Sequence, residues 1–127
     1  MRIGVTGSSG FLGSHLTNAL YQLPGFDVTT LKRNSSGKFP EVSRLKPFVE
    51  NLDIIYHVSG VNRGTNDEII KGNIQATFNL IEAIKKYGKS QPRIIFTSSS
   101  QVYKKVMRFK KSITESHKAD PSTLFGV

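Results

Sequence analysis

The stretch T-G-S-S-G-F-L-G, residues 6–13, sets glycines three residues apart between an apolar run and an amphipathic one. The run before it, residues 2–6, is short and partly β-branched, which predicts a strand. After it, apolar side chains recur at helical spacing until a Pro-Gly pair ends the pattern at residues 24–25. A second β-branched run follows at 27–32. The opening quarter of the chain therefore predicts a β-α-β unit.

The same alternation continues along the chain. Apolar runs at 53–60 and 93–100 predict a third and a fourth strand, and helical spacing over 67–87 predicts a long helix. A short helix is expected near 41–51, whereas 101–127 is polar, basic and largely irregular. Strands that are apolar on both faces favour an α/β fold, with a doubly wound parallel sheet of about four strands and helices on both faces.

In such sheets, ligands bind outside the carboxyl ends of the strands. The loops that follow the four predicted strands carry most of the glycine-rich and polar stretches. We therefore expect four loops to converge on one rim of the sheet, namely 7–13, 33–37, 59–66 and 98–103.

The three glycines of the opening stretch suit a phosphate-binding turn. Gly7 allows a tight turn, Gly10 lets the backbone approach a pyrophosphate, and Gly13 allows close packing of the helix. The free amides at the helix N-terminus would face the phosphates. An ordinary strand-to-helix turn needs only one glycine, and no lysine follows the last glycine as a nucleotide-hydrolase loop requires. The spacing thus favours a dinucleotide.

Length and composition fit one globular domain, residues 1–127, because 37% of the residues are hydrophobic. No apolar run approaches the roughly 18 residues that cross a membrane, and no signal peptide precedes the first strand, so we expect a cytoplasmic protein. The chain has no cysteine. We expect no metal site, because His15, His57 and His117 are too far apart in sequence to form a local motif.

The net charge of +9 indicates an anionic partner, whether nucleic acid, a phosphorylated metabolite or acidic lipid. Basic residues are densest in K-K-V-M-R-F-K-K, residues 104–111. This run has a single aromatic residue and no recognised nucleic-acid motif. It therefore favours a solvated loop near an anionic substrate, with nucleic-acid binding as an alternative.

The motif at residues 6–13 resembles the TGxxGxxG loop of the extended short-chain dehydrogenase/reductase family, the NAD-dependent epimerases, dehydratases and reductases of nucleotide-activated sugars. Four further segments resemble that family in the same order along the chain. They are D-I-I-Y-H-V-S-G-V-N-R (53–63), G-N-I-Q-A-T-F-N-L-I-E-A (72–83), I-I-F-T-S-S-S-Q-V-Y (94–103) and I-T-E-S-H-K-A-D-P-S-T-L-F-G (113–126). The resemblance implies a truncated Rossmann-like fold without the substrate domain.

The resemblance also implies roles for individual residues. Asn73 would brace the nicotinamide side, and Ser99, four residues before Tyr103, would hydrogen-bond the substrate oxygen; without the family, the serines would only cap a strand end. The pyrophosphate would lie against Gly7, Ser8, Ser9, Gly10, Phe11, Leu12 and Gly13. The nicotinamide side would be lined by Val58, Ser59, Gly60, Thr97, Ser98 and Ser99.

The choice of cofactor depends on the end of the second strand. An acidic residue there would accept a hydrogen bond from a ribose hydroxyl, and an arginine would meet a 2′-phosphate. This chain has Lys32, Arg33 and Asn34, whereas Asp27 begins the strand at its far end. We therefore expect NADP, with NAD as the alternative if the cations only solvate the strand end. The short segment 33–52, which lacks the family's usual third strand, most resembles the sugar-nucleotide reductase branch.

The family's catalytic pair is missing from this sequence. Phe125 occupies the position of the general acid/base tyrosine, and the chain stops at Val127, before the lysine could appear. Loss of a general acid/base costs about 10²- to 10⁴-fold in rate, so we expect this chain to be inactive. Tyr103 could in principle substitute, although a packing role suits it better. The alternative function is a non-catalytic dinucleotide-binding module, a pseudoenzyme or a sensor.

The fourth strand also raises the question of assembly. In the Rossmann strand order 3-2-1-4-5-6 this strand would lie inside the sheet, but no later segment of the sequence predicts a strand that would pair with its outer edge. An exposed apolar edge invites pairing. We expect the chain to be a fragment of a longer protein or a homo-oligomer formed through that edge.

Overall fold

The computed structural model describes residues 1–33, 37–103 and 112–126. The chain divides into two compact units, Met1–Thr97 and Ser98–Val127. Asn34 and the basic run 104–111, on which the nucleic-acid alternative depends, lie outside the described residues. No helix in the described ranges is both long and apolar enough to cross a membrane.

The first unit alternates strands and helices, as the sequence pattern predicts. A 3₁₀ turn at Val42–Leu45 leads into the second helix, and a π-helical turn at Lys71–Gln75 joins the third helix to the fourth. The strands are β1 (Arg2–Thr6), β2 (Asp27–Leu31), β3 (Ile54–His57) and β4 (Arg93–Phe96), and the helices are α1 (Phe11–Tyr21), α2 (Lys46–Val49), α3 (Asn66–Ile70) and α4 (Ala76–Tyr87).

The four strands form one parallel sheet in the order β2-β1-β3-β4. Asp27 is in register with Arg2, which places it at the amino end of β2, as expected. At the other end of the sheet, Thr6 is in register with His57, and His57 with Phe96. The predicted Rossmann-like parallel sheet is confirmed, and β1 and β3 end side by side at its carboxyl rim.

Apolar clusters cover both faces of the sheet. On one face, Leu20 of α1 packs against Ile3 and Val5 of β1. On the other, Ile55 of β3 packs with helices α2 and α4 and the 3₁₀ turn before α2. That second cluster consists of Leu45, Phe48, Val49, Leu52, Ile55, Leu80 and Ala83. The two clusters explain why β3 carries apolar side chains on both faces, with Ile55 on one side and Ile54 on the other.

The predicted long helix over 67–87 is divided by its π turn. Helix α3 begins with a capping box, in which Glu68 and Thr65 bond each other's backbone amides. The π turn follows directly and inserts one extra residue into the helical repeat. The predicted fourth strand also ends earlier than expected, at Phe96. The amide of Thr97 makes the last hydrogen bond to the neighbouring strand, to the carbonyl oxygen of His57 at 3.3 Å, and β3 itself ends at His57.

Strand β4 lies at an edge of the sheet and exposes its apolar side chains. Phe96 is 57% exposed, and Ile94 and Ile95 are 40% and 38% exposed. In register, Ile94 lies beside Ile55 and therefore faces the same side of the sheet as α4, while Ile95 faces the side of α1. This edge is the least covered part of the sheet.

The second unit has little regular structure in its described part. A 3₁₀ turn spans Ser100–Val102, and Tyr103 forms an isolated antiparallel bridge with Ala119. The ring of Tyr103 meets the ring of His117 edge to face, with centroids 6.0 Å apart. This agrees with the largely irregular segment that the sequence predicts after residue 100.

Candidate functional site

The turn between β1 and α1 is closed by its glycines. Gly7 has φ of +72°, and a Cβ there would lie 2.7 Å from the amide nitrogen of Ser59. The amide of Gly10 donates to the carbonyl oxygen of Gly7 at 3.0 Å. Gly13 is buried against that same carbonyl, which leaves no room for a side chain. Gly7 and Gly13 are therefore required by the local geometry, for the turn and the close packing that the spacing predicts.

Helix α1 begins at this turn without a side-chain cap. Its N-cap residue is Gly10, and no acidic residue lies in its first turn. Within the described residues, the amides of Phe11, Leu12 and Gly13 have no acceptor. Such amides, at the positive end of the helix dipole, attract an anion.

Gly10 lies on the solvent-exposed side of the turn. It is exposed, and a Cβ there would meet only the carbonyl oxygen of Gly7, at 3.3 Å. Ser9 is exposed beside it, and Ser8 is half-buried. Phe11 is 86% exposed at the start of the helix. An anionic group can thus reach the backbone here without displacing a core side chain.

The loop after β3 lies directly against this turn. The amide of Ser59 donates to the hydroxyl oxygen of Thr6 at 3.2 Å, and the backbone of Val58 and Ser59 surrounds Gly7. The loops after β1 and β3 therefore meet at the rim, as expected. Val58 and Ser59 are half-buried, and Gly60 is exposed.

Asn73, in the π turn, holds the far end of the β3 loop. Its side-chain oxygen accepts from the amide of Val61 at 3.0 Å, and its side-chain nitrogen donates to the carbonyl oxygens of Val61 at 2.7 Å and Ile69 at 2.9 Å. Gly60 passes so close that a Cβ would lie 3.0 Å from the Asn73 oxygen. π turns of this kind recur at functional sites.

Three polar side chains, of which Thr6 and His57 are buried and Thr77 is half-buried, form a chain of hydrogen bonds beneath this rim. The hydroxyl of Thr6 lies 2.7 Å from Nδ1 of His57, and Nε2 of His57 lies 3.0 Å from the hydroxyl of Thr77 in α4. His57 is 1% exposed, and burial lowers its pKa to about 4. Its ring contacts the rings of Phe39 and Phe96.

Sequence reasoning assigned no role to Thr6, His57 or Thr77. The signal that could have found His57 is the alternation of the strand, since it shares the core-facing side of β3 with Ile55. A polar residue at such a position needs a hydrogen-bond partner.

The hydroxyl residues after β4, Thr97 to Ser99, divide between the two units. Thr97 ends the first unit, and its amide and hydroxyl both lie 3.3 Å from the carbonyl oxygen of His57. Ser98 and Ser99 belong to the second unit. There the hydroxyl of Ser99 accepts from the amide of Gln101 at 3.2 Å and caps the 3₁₀ turn. Phe125 lies half-buried in a turn of that unit.

The end of β2 carries exposed cations and no acid among its described residues. Lys32 and Arg33 are both exposed. The hydrogen bond of the Arg33 guanidinium is a long one, 3.5 Å to the carbonyl oxygen of Gly37. Among the residues that the structure describes, the Arg33 side chain is therefore only weakly held.

Comparison with known proteins gives a consistent set of matches. The model of the NAD-dependent epimerase/dehydratase family matches residues 3–127. A UDP-2-acetamido-2,6-beta-L-arabino-hexul-4-ose reductase of Pseudomonas aeruginosa is 38% identical over 103 residues, covering 80% of this chain and 26% of the reductase.

Two solved structures have a similar fold. RMD from Pseudomonas aeruginosa complexed with NADPH has a TM-score of 0.79 at 23% identity, over 98% of this chain and 43% of that one. A mutant of uronate dehydrogenase from Agrobacterium tumefaciens complexed with NAD has a TM-score of 0.77 at 24% identity, over 98% of this chain and 50% of that one. The chain thus spans half or less of the length of each of these proteins.

Proposed function

The chain belongs to the NAD-dependent epimerase/dehydratase family, and on that basis we propose that it binds the diphosphate of a nicotinamide dinucleotide at the turn between β1 and α1. The observation that carries this proposal is the set of amides of Phe11, Leu12 and Gly13, which have no acceptor in the described part of the chain. They lie at the positive end of α1, where a diphosphate is favoured. The named complexes of two proteins with the same fold contain NAD and NADPH.

The proposal is tested by titrating NADPH and NADH into the protein and into its Gly10→Asp variant by calorimetry. The backbone of Gly10, with φ of −80° and ψ of 172°, accepts any residue, and aspartate is a favoured N-cap. The new carboxylate would occupy the amides and repel the diphosphate. We expect at least a tenfold loss of affinity in a variant that is as stable as the parent. Unchanged affinity would contradict the proposal.

We further propose NADP as the preferred cofactor. Lys32 and Arg33 are exposed at the end of β2, and within the described residues the guanidinium of Arg33 makes a single long bond, to Gly37. An arginine in this position can turn to meet a 2′-phosphate, whereas a ribose hydroxyl would need an acidic partner. Asp27, at the amino end of the strand, is in no position to supply one.

We also propose that the full protein acts on a nucleotide-activated sugar, and that residues 1–127 bind cofactor without catalysing the reaction. The sugar is suggested by the matched reductase, whose name specifies a UDP-linked substrate. The lack of catalysis is suggested by Phe125, whose ring has no ionisable hydroxyl and so cannot serve as general acid/base. Phe125 equally supports the second candidate, a non-catalytic dinucleotide-binding module.

The two candidates differ in their response to a restored tyrosine. In a longer gene product that includes the missing lysine, a Phe125→Tyr variant of an enzyme would oxidise NADPH in the presence of a UDP-linked keto sugar. A non-catalytic module would bind the dinucleotide but show no turnover in either form.

We propose, finally, that copies of the chain associate through β4. Ile94, Ile95 and Phe96 form an exposed apolar edge whose outer backbone groups pair with no strand in the described residues. Burial of such an edge against a second copy would remove apolar surface from water and satisfy the strand's hydrogen bonds.

A further inference from the structure

We infer that His57 is a positioning residue that sets where the loop after β3 lies against the phosphate-binding turn. It does so through Thr6, whose hydroxyl contacts both the imidazole ring and the amide of Ser59. Thr77 of α4 holds the other side of the ring. These hydrogen bonds, from Thr77 through His57 and Thr6 to Ser59, form what we call the relay. The consequence for cofactor binding rests on the proposed function, whereas the relay itself does not.

The relay is built into the core. Thr6 is fully buried, and His57 is 1% exposed, while Thr77 is half-buried and so can still reach water. Phe39 and Phe96 contact the ring at centroid distances of 5.9 and 5.7 Å. With both nitrogens engaged and aromatic rings beside it, the imidazole has one orientation available.

Proton counting selects one tautomer of His57. The Thr6 oxygen already accepts from the Ser59 amide, so its own proton needs an acceptor, and Nδ1 of His57 at 2.7 Å is the acceptor within the described residues. Nδ1 must then be unprotonated, and Nε2–H donates to the Thr77 oxygen at 3.0 Å.

The opposite tautomer would leave a buried proton without an acceptor. Nδ1–H would donate to the Thr6 oxygen, and the hydroxyl proton of the fully buried Thr6 would have no partner. In the favoured tautomer the unused proton is that of Thr77, which can reach water. The geometry thus favours the Nε2–H form.

The position of Ser59 matters because the turn leaves it almost no space. Its amide nitrogen lies where a Cβ on Gly7 would be only 2.7 Å away, so the two loops are in close contact. The far end of the β3 loop is tied separately, by Asn73 to Val61. Without the relay, the near end of the loop would be free to move away from the turn while its far end stayed fixed.

The first test needs no ligand. Nitrogen NMR of the imidazole ring distinguishes the two tautomers, and the amide resonance of Ser59 reports its hydrogen bond to Thr6. We expect a single Nε2–H tautomer in the parent and in Thr6→Ser, and a mixed tautomer with a shifted Ser59 amide in Thr6→Val. An Nδ1–H tautomer in the parent, or a Ser59 amide that Thr6→Val leaves unmoved, would overturn the inference.

The second test measures NADPH binding in variants of Thr77, which is half-buried. It can be carried out even if Thr6→Val does not fold. Loss of one neutral hydrogen bond is worth a factor of about 5 in an equilibrium constant. We expect Thr77→Val to weaken NADPH binding by about that factor and Thr77→Ser to restore it.

Equal affinity in the parent and Thr77→Val would overturn the positioning role. If the parent shows the Nε2–H tautomer and the Ser59 response but does not bind NADPH, the proposed function fails and the positioning of the loop by His57 stands.

Discussion

The side chain of Asn73 makes both backbone hydrogen bonds of Val61, accepting from its amide at 3.0 Å and donating to its carbonyl oxygen at 2.7 Å. A single residue of the π turn thereby substitutes for the strand or helix partner that this loop lacks. Its donor nitrogen also bonds the carbonyl oxygen of Ile69. The loop after β3 is therefore fixed to the helix from which Asn73 projects.

Replacement of Asn73 by aspartate should loosen this loop. The acceptor oxygen is kept, but the donor is lost, and a carboxylate oxygen then faces the carbonyl oxygens of Val61 and Ile69. We expect the free energy of unfolding to fall by about 1 to 3 kcal/mol, measured by urea denaturation. Asn62→Asp, which makes the same change at an exposed position of the same loop, is the control. Equal stability of the two variants would contradict this interpretation.

Arg33→Ala should reduce the affinity for NADPH and leave that for NADH unchanged, because only NADPH carries the 2′-phosphate. Loss of a charge-assisted hydrogen bond corresponds to a factor of about 10 to 100. Calorimetric titration of NADPH and NADH into the parent and the Arg33→Ala variant measures these changes in affinity. Lys86→Ala removes the same charge from the last turn of α4 and should affect neither affinity. A parent protein that binds the two cofactors equally would rule out the role of Arg33.

The stability of the protein should depend on pH through His57. The pKa of His57 is lowered by burial to about 4, against 6.5 for an unperturbed histidine. Above pH 6.5 the imidazole of His57 is unprotonated in both the folded and the unfolded state, and the free energy of unfolding does not depend on it. As the pH falls from 6.5 to 4, only the unfolded state binds a proton at this residue, so the free energy of unfolding falls by up to about 1.4 kcal/mol per pH unit. Below pH 4 the imidazole is protonated in both states, and the free energy of unfolding no longer changes through it.

Urea denaturation at several pH values, in the parent and in His57→Gln, measures this dependence. The carboxylates contribute equally to both proteins, so the difference between the two curves isolates the histidine. We expect the difference to change by about 3 kcal/mol across this range and to be flat above it. Parallel curves throughout would show that His57 takes up its proton equally in both states.

The exposed edge of β4 should govern association. Multi-angle light scattering of the purified protein is expected to give a mass above that of one chain. Ile95→Lys places a charge on the edge strand, which natural proteins use to prevent strand pairing, and should shift the population towards monomer. Lys46→Ile, at an exposed position of α2, tests whether added apolar surface alone has an effect. A monodisperse monomeric parent would contradict association through β4.

Much of the fold could be predicted because its signals are local. The positive φ of Gly7 and the contact of Gly13 with the carbonyl oxygen of Gly7 both lie within one turn. The apolar pattern of β3 reflects burial on both sides of the sheet. Element boundaries were less certain. The end of β4 at Phe96 follows the end of its partner strand, since β3 ends at His57, whose carbonyl oxygen accepts the last hydrogen bond, from Thr97.

The relay at His57 could not be predicted in the same way. Thr6 and His57 are 51 residues apart, and Thr77 is another 20 residues along, so only the folded sheet brings the three together. The π turn could not be predicted from the sequence either, because one extra residue in a helix barely changes the spacing of its apolar residues. The positions of Ser99 and Phe125 in the sequence say nothing about their distance from the turn, and their proposed roles remain predictions.

The central claim is that the first amides of α1 bind a diphosphate. Titration of NADPH into ¹⁵N-labelled protein, followed by amide NMR, tests it most directly. We predict saturable downfield shifts for the amides of Phe11, Leu12 and Gly13, larger than those at the far end of the sheet around Gly25. Saturable binding that leaves these three amides unmoved would contradict the claim.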